Sequence, residues 1–143
     1  GSDVFSGPTP IKALGATDQH SQLQAWREGP ADKIIGIVSA PSIDEGSLPT
    51  DMGDDGLAYL AGRSLGELLE AQRAATTASL ADADQLVYQI TLPAIDEASM
   101  GAFIALWQIT TAIAGRLLGV NAFDQGGVEH GKQLAREFLD KAR

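Results

Sequence analysis

The sequence predicts an α/β fold, a three-layer α/β/α sandwich on a mainly parallel sheet, present as a partial domain. Two stretches and their surroundings carry that prediction. Ile34–Ser39 (IIGIVS) and Gln85–Leu92 (QLVYQITL) are short apolar runs rich in β-branched residues, the pattern of buried strands. Helical periodicity precedes, separates and follows them, and strands alternating with helices favour a parallel sheet with helices on both faces. Two clear strands are few for such a sheet, hence the expectation of a partial domain.

Taken in order, residues 1–14 read as an extended segment, with Pro8-Thr9-Pro10 in a turn and Ile11–Leu14 as a short strand. Gly15-Ala16-Thr17 makes a turn, and Thr17 or Asp18 caps a short helix that ends at Gly29-Pro30, with Leu23 and Trp26 on its core-facing side. After the first strand, residues 40–56 form a long acidic loop of the kind that is mobile or functional. Leu57 to Leu80 has apolar residues at helical spacing, with Gly62 and Gly66 inside it, as close packing against a neighbour would require. Pro93 closes the second strand. Asp96–Leu118 is the longest helix, and its stripe (Phe103, Leu106, Trp107, Thr110, Ile113, Ala114 and Leu117, widened by Ile104 and Ile109) implies burial on more than one side. A short strand or corner at Val120 leads to a C-terminal helix ending near Ala142, whose apolar face is Ala135, Phe138 and Leu139.

Composition narrows the function classes. The chain of 143 residues is 44% apolar and 20% charged, so it is globular rather than disordered. No uninterrupted apolar run reaches bilayer-spanning length, and no basic segment followed by an apolar core marks a secretory signal; cytoplasm is the expected location. With no cysteine, disulfides and thiolate chemistry are excluded. A formal net charge of −9 disfavours nucleic acid and anionic membranes as partners. The start reads as a cut through a longer protein.

The most informative stretch is Gly119–Arg136 (GVNAFDQGGVEHGKQLAR). Asp124 sits at an N-cap position, and Gln125, Gly126 and Gly127 open the helix. Two glycines in a first turn cost roughly 1 kcal/mol each relative to alanine, but they leave backbone N–H groups bare for a ligand. Gln125 and Lys132 lie about two turns apart on one face, with Glu129 between them. An amide, a carboxylate and an ammonium behind bare N–H groups suit a polar, anionic ligand; a solvated face with an ion pair between Glu129 and Lys132 explains the same residues. A second cluster lies near the beginning. Gly15-Ala16-Thr17-Asp18-Gln19-His20-Ser21-Gln22 puts His20 in the first turn of its helix. The positive end of the dipole there disfavours imidazolium, and a neutral imidazole can give or take a proton. An ordinary histidine bonded to a loop carbonyl is the plainer explanation.

Two motifs shift the balance. Phe123-Asp124-Gln125-x-Gly127-Val128-Glu129-x-x-Lys132-Gln133-Leu134-Ala135, preceded by Leu118-Gly119-Val120-Asn121-Ala122, resembles the C-terminal signature of phosphoglucose isomerases. The Gln19-His20-Ser21-Gln22 segment, followed by its Gly29-Pro30 turn, is similar to the stretch holding the ring-opening histidine in bacterial members. The resemblance implies that residues 15–143 are the C-terminal sugar-isomerase (SIS) domain of an enzyme that interconverts glucose 6-phosphate and fructose 6-phosphate through a cis-enediol. It implies roles for His20 in ring opening, for Lys132 near the ring oxygen, for Gln125, Gly126 and Gly127 near the phosphate, and for Glu129 as a support. It implies no cofactor and no metal. The implied partners are the sugar-phosphate substrate, a second copy in a homodimer, and an N-terminal SIS domain of the same protein. The family's general-base glutamate lies further upstream of the histidine than this chain extends, so the chain alone is expected to be inactive. Alternatives are a non-catalytic SIS-type sugar-phosphate-binding module, or the isomerase half of a transaldolase–isomerase fusion. A structural role, with helix 96–118 as a dimer interface, is compatible with each of these.

Overall fold

The computed structural model describes residues 7–42, 46–124 and 126–141. It divides into two compact units, Pro10–Ser99 and the described residues from Met100 onward together with those before Pro10.

The first unit is α/β. Its elements are α1 (Gln19–Glu28), β1 (Ile34–Ser39), a 3-10 turn (Asp55–Leu60), α2 (Leu65–Ala81) and β2 (Leu86–Thr91). The strands pair in parallel, in register from Ile34 opposite Leu86 to Ser39 opposite Thr91. A parallel pair needs a crossover of a dozen or more residues, and the stretch containing α2 supplies it. Side chains alternate across the sheet. Ile35, Ile37 and Val87 are half-buried on one face, and Gln89 on that face accepts a hydrogen bond from Arg73 of α2. The opposite face leaves Ile34 at 69% and Leu86 at 64% exposure. α2 packs against β2, and α1 packs against α2. The centre of this arrangement is Leu80 of α2, the one large apolar side chain among the described residues that is fully buried.

Both expected strands and α1 form where periodicity puts them. Three local expectations need correction. Ile11–Leu14 is not a strand: the Leu14 amide donates to the Asp18 carboxylate at 2.6 Å, and the Asp18 amide donates to the Leu14 carbonyl at 2.8 Å, which folds the segment into a turn. Because its carboxylate is taken by Leu14, Asp18 occupies the N-cap position of α1 without making a side-chain cap.

The continuous helix expected from Leu57 to Leu80 is broken. Gly62 adopts φ +69°, which ends the 3-10 turn, and α2 restarts behind Ser64. Ser64 accepts from the Glu67 amide at 3.0 Å, and Glu67 accepts from the Ser64 amide at 2.8 Å, a reciprocal capping box. The Ser-x-x-Glu spacing announced this start, but the apolar periodicity running through it masked the break. The described part of the 40–56 loop is pinned to the same corner: Leu48 donates to Arg63 at 2.9 Å, Leu65 donates to Gly46 at 3.0 Å, and Ser47 bridges Ser64.

α3 (Glu97–Leu118) begins at the end of the first unit and runs through the second, where α4 (Gly126–Lys141) follows it. Asp96 starts α3 by accepting from the Ser99 amide at 2.7 Å, a bond that holds the Asp96 carboxyl below its usual range. At the other end Gly119, at φ +71°, makes a Schellman stop: Val120 donates to Gly115 at 2.9 Å and Gly119 donates to Arg116 at 3.3 Å. Of the strand or corner expected at Val120, the corner forms, as part of a helix cap. The tight turn brings Ala122 back onto Gly115, where an added Cβ would lie 2.6 Å from the Ala122 Cβ.

The apolar stripe of α3 is not buried among the described residues; Ile109 is 60% and Ile113 is 55% exposed. By length and composition α3 is also apolar enough to cross a membrane. Its polar residues interrupt the run without making it polar overall, since the Thr110 and Thr111 hydroxyls bond back to the Leu106 and Trp107 carbonyls at 2.7 and 2.8 Å.

Two outcomes test this account of α2. Ser64→Ala removes one half of the capping box and should cost about 1 kcal/mol in denaturant unfolding. The Glu67 carboxyl is held below its usual value, first by the Ser64 amide and then by the Arg63 side chain. Its contribution is therefore present above the usual carboxylate range and lost as pH falls through the depressed value. An acid titration of helix content should show this loss, and Glu67→Gln should shrink it.

Candidate active site

The first cluster is built on α1. His20 is the second residue of the helix and is exposed, and its backbone amide donates to the Thr17 carbonyl at 3.4 Å. Its ring makes no hydrogen bond among the described residues, so the loop-carbonyl explanation of this histidine finds no support. Leu23 and Trp26 are half-buried, as their spacing predicts. Apolar burial is nonetheless slight, for α1 contains no buried residue. Polar bonds fix the helix instead. Arg27 Nε donates to the Ser79 carbonyl at 3.2 Å, Gln85 Nε2 donates to the Arg27 carbonyl at 3.3 Å, and the Thr76 hydroxyl donates to Gln19 at 3.0 Å. None of these tethers was foreseen from the sequence.

The second cluster opens α4. Gln125, expected beside the phosphate, lies outside the described residues. Gly126 and Gly127 form the first turn of α4 and are exposed, and a Cβ added at either would meet no atom within 4 Å. Neither glycine has a left-handed backbone. The chain's own packing thus gives no reason for them, and what remains is the open approach they leave to the backbone N–H groups at the positive end of the helix. Lys132 Nζ pairs with Glu129 Oε1 at 2.5 Å, one turn apart, with the two side chains 59% and 63% exposed. An exposed pair of this kind contributes little stability, as the solvated-face explanation of these residues expects.

His20 belongs to the first unit, and Gly126, Gly127, Glu129 and Lys132 belong to the second. Of the expected site residues, the structure joins Glu129 to Lys132 within α4. Among the described residues no group of His, Asp and Glu could hold a metal ion. The second unit also has an open apolar groove of about 640 Å³ between α3 and the Ala122-Phe123 turn. Phe103 and Trp107 line it in an edge-to-face pair with ring centroids 6.1 Å apart.

Chemically, the arrangement offers an exposed imidazole at one helix start, and open backbone N–H groups with an ion-paired ammonium at another. Comparison with known proteins gives these parts a context. Residues 42–143 match the family model of phosphoglucose isomerase. A probable glucose-6-phosphate isomerase of Haloquadratum walsbyi is 46% identical over 134 residues, covering 93% of this chain and 31% of the relative. A glucose-6-phosphate isomerase of Thermus thermophilus is 43% identical over 137 residues, with 93% and 32% covered. The crystal structure of a hypothetical protein, also from Thermus thermophilus, superposes with a TM-score of 0.84 at 41% identity, over 93% of this chain and 32% of that one. The fold is thus that of a sugar-phosphate isomerase family. The chain belongs to the phosphoglucose isomerase family, and it spans about 31% of the length of the first of these relatives.

One prediction concerns α4 alone. Since no atom lies within 4 Å of a Cβ at either position, Gly126→Ala and Gly127→Ala should each stabilise the helix, by up to about 1 kcal/mol. Helix content by circular dichroism should rise in this chain; a fall would show that the glycines serve the chain's own packing.

Proposed function

We propose that this chain is the C-terminal SIS-type part, over residues 15–143, of a glucose-6-phosphate isomerase, and that it supplies one portion of the active site. The observation that carries this reading is the start of α4. Two glycines with open space around them precede a lysine held 2.5 Å from Glu129, within the stretch that matches the family model.

In this reading the substrate arrives as a closed sugar ring. His20 moves a proton between the ring oxygen and O1 as the C1–O5 bond breaks, which leaves an open-chain aldehyde. Lys132, oriented by Glu129, stabilises negative charge developing at the oxygens of that end. The backbone N–H groups of Gly126 and Gly127, with Gln125, receive the phosphate at the other end. A general base then carries a proton from C2 to C1 through a cis-enediol. That base is a glutamate outside this chain.

The apolar faces left open on the sheet and on α3 are covered in the longer polypeptide, by its N-terminal SIS domain and by a second copy in a homodimer. An acidic, cysteine-free chain that works on a sugar phosphate fits the cytoplasm. The binding-module alternative has less support, since it gives no use to His20 and Lys132 together.

Two measurements test the reading. The isolated chain should show no turnover of glucose 6-phosphate in a coupled assay freed of host isomerase; measurable turnover would mean that the base lies within it. In the longer polypeptide, Lys132→Ala should lower kcat by about 10² or more, whereas a binding module would lose only phosphate-dependent affinity.

A further inference from the structure

We propose that Thr76 and Gln19 position His20, and that Gly15 keeps open the space the Gln19 amide needs. This rests on the reading of His20 as the ring-opening residue. Thr76 is 7% exposed, one of the two buried polar residues among those described. The next residue shows what a helical threonine ordinarily does: the Thr77 hydroxyl bonds back to the Arg73 carbonyl of its own helix at 2.9 Å. The Thr76 hydroxyl does not. It leaves α2 and donates to Gln19 Oε1 at 3.0 Å, across 57 positions of sequence.

Gln19 is the first residue of α1 and is joined directly to His20. The start of α1 lacks a side-chain cap of its own, because the Asp18 carboxylate is engaged by Leu14. Gln19 is therefore the front tether of the helix, and Arg27, bonded to Ser79 and approached by Gln85, is the rear one. With no buried apolar residue in α1, these polar bonds set the orientation of the helix. The front bond sits one peptide away from the imidazole. On the other side of the Gln19 amide is Gly15, where an added Cβ would lie 2.8 Å from Nε2, closer than Cβ atoms come to other heavy atoms. A side chain at position 15 would push the amide off its site, and the flexible end of a glutamine would yield without unfolding the helix. Gly15, Gln19 and Thr76 thus act together, as positioning residues that reach the chemistry only through His20.

The test uses the intact isomerase polypeptide that contains this chain, with glucose 6-phosphate as substrate. Thr76→Val keeps the shape and removes the hydroxyl; it should lower kcat about tenfold while KM stays within about twofold, the signature of misplacement rather than lost binding. Thr76→Ser keeps the hydroxyl and should recover most of that rate. Gly15→Ala, at an exposed position, should reproduce the Thr76→Val loss even if the buried valine impairs folding. Adding Thr76→Val to His20→Ala should cause no further loss, because the first acts only through the second. A Ser variant as slow as the Val variant would reveal a packing role and overturn the proposal, as would a full Thr76→Val loss in the absence of His20. A slow His20→Ala beside an unaffected Thr76→Val and Gly15→Ala overturns the positioning role alone. A His20→Ala protein at full rate overturns the ring-opening reading itself.

Discussion

The first unit depends on the packing of α2 against both β2 and α1. A parallel strand pair cannot close through a tight turn, so the chain must cross the sheet, and the crossing element must find apolar support there. α2 finds it through Leu80, which is fully buried, while Arg73 pairs with Glu70 and reaches Gln89 on the strand. α1 is held to α2 by hydrogen bonds at the Thr76 hydroxyl and the Ser79 carbonyl rather than by a hydrophobic seam, and Gln85, beyond the end of α2, adds a third. Such an arrangement gives orientation more than stability, since each bond exchanges with water at modest net gain.

The same shortage of buried apolar surface marks the described residues as a whole. Sheet residues such as Ile34 and Leu86 and the α3 residues Ile109 and Ile113 stay more than half exposed. Conformational entropy opposes the ordering of every residue, and a chain of this size ordinarily offsets it with a larger core. The chain spans about 31% of the length of the Haloquadratum walsbyi relative.

Much of this was legible in the sequence, for reasons that differ by element. The strands at Ile34 and Leu86 were visible because β-branched runs bounded by turn residues have few other uses. The bounds of α3 were visible in Asp96 and Gly119. The break at Gly62 was not, because apolar spacing continued across it and concealed the Ser64–Glu67 box. The Ile11–Leu14 strand failed because one carboxylate, Asp18, served the preceding turn instead of the following helix. At the site, the Glu129–Lys132 pair followed from helical spacing alone. The tether from Thr76 to Gln19 joins residues 57 positions apart, and no local pattern encodes such a contact.

α1 carries a histidine whose helix is held by polar tethers, and α4 carries a lysine held by its own neighbour, behind a helix start left open by glycine. The account stands on His20 being the group that opens the sugar ring. The most direct measurement is the protein-dependent exchange between the α and β anomers of glucose 6-phosphate, followed by NMR in the intact polypeptide. That exchange needs ring opening and does not need proton transfer at C2. The account predicts that His20→Ala slows it by about tenfold or more; exchange at the unaltered rate would contradict it.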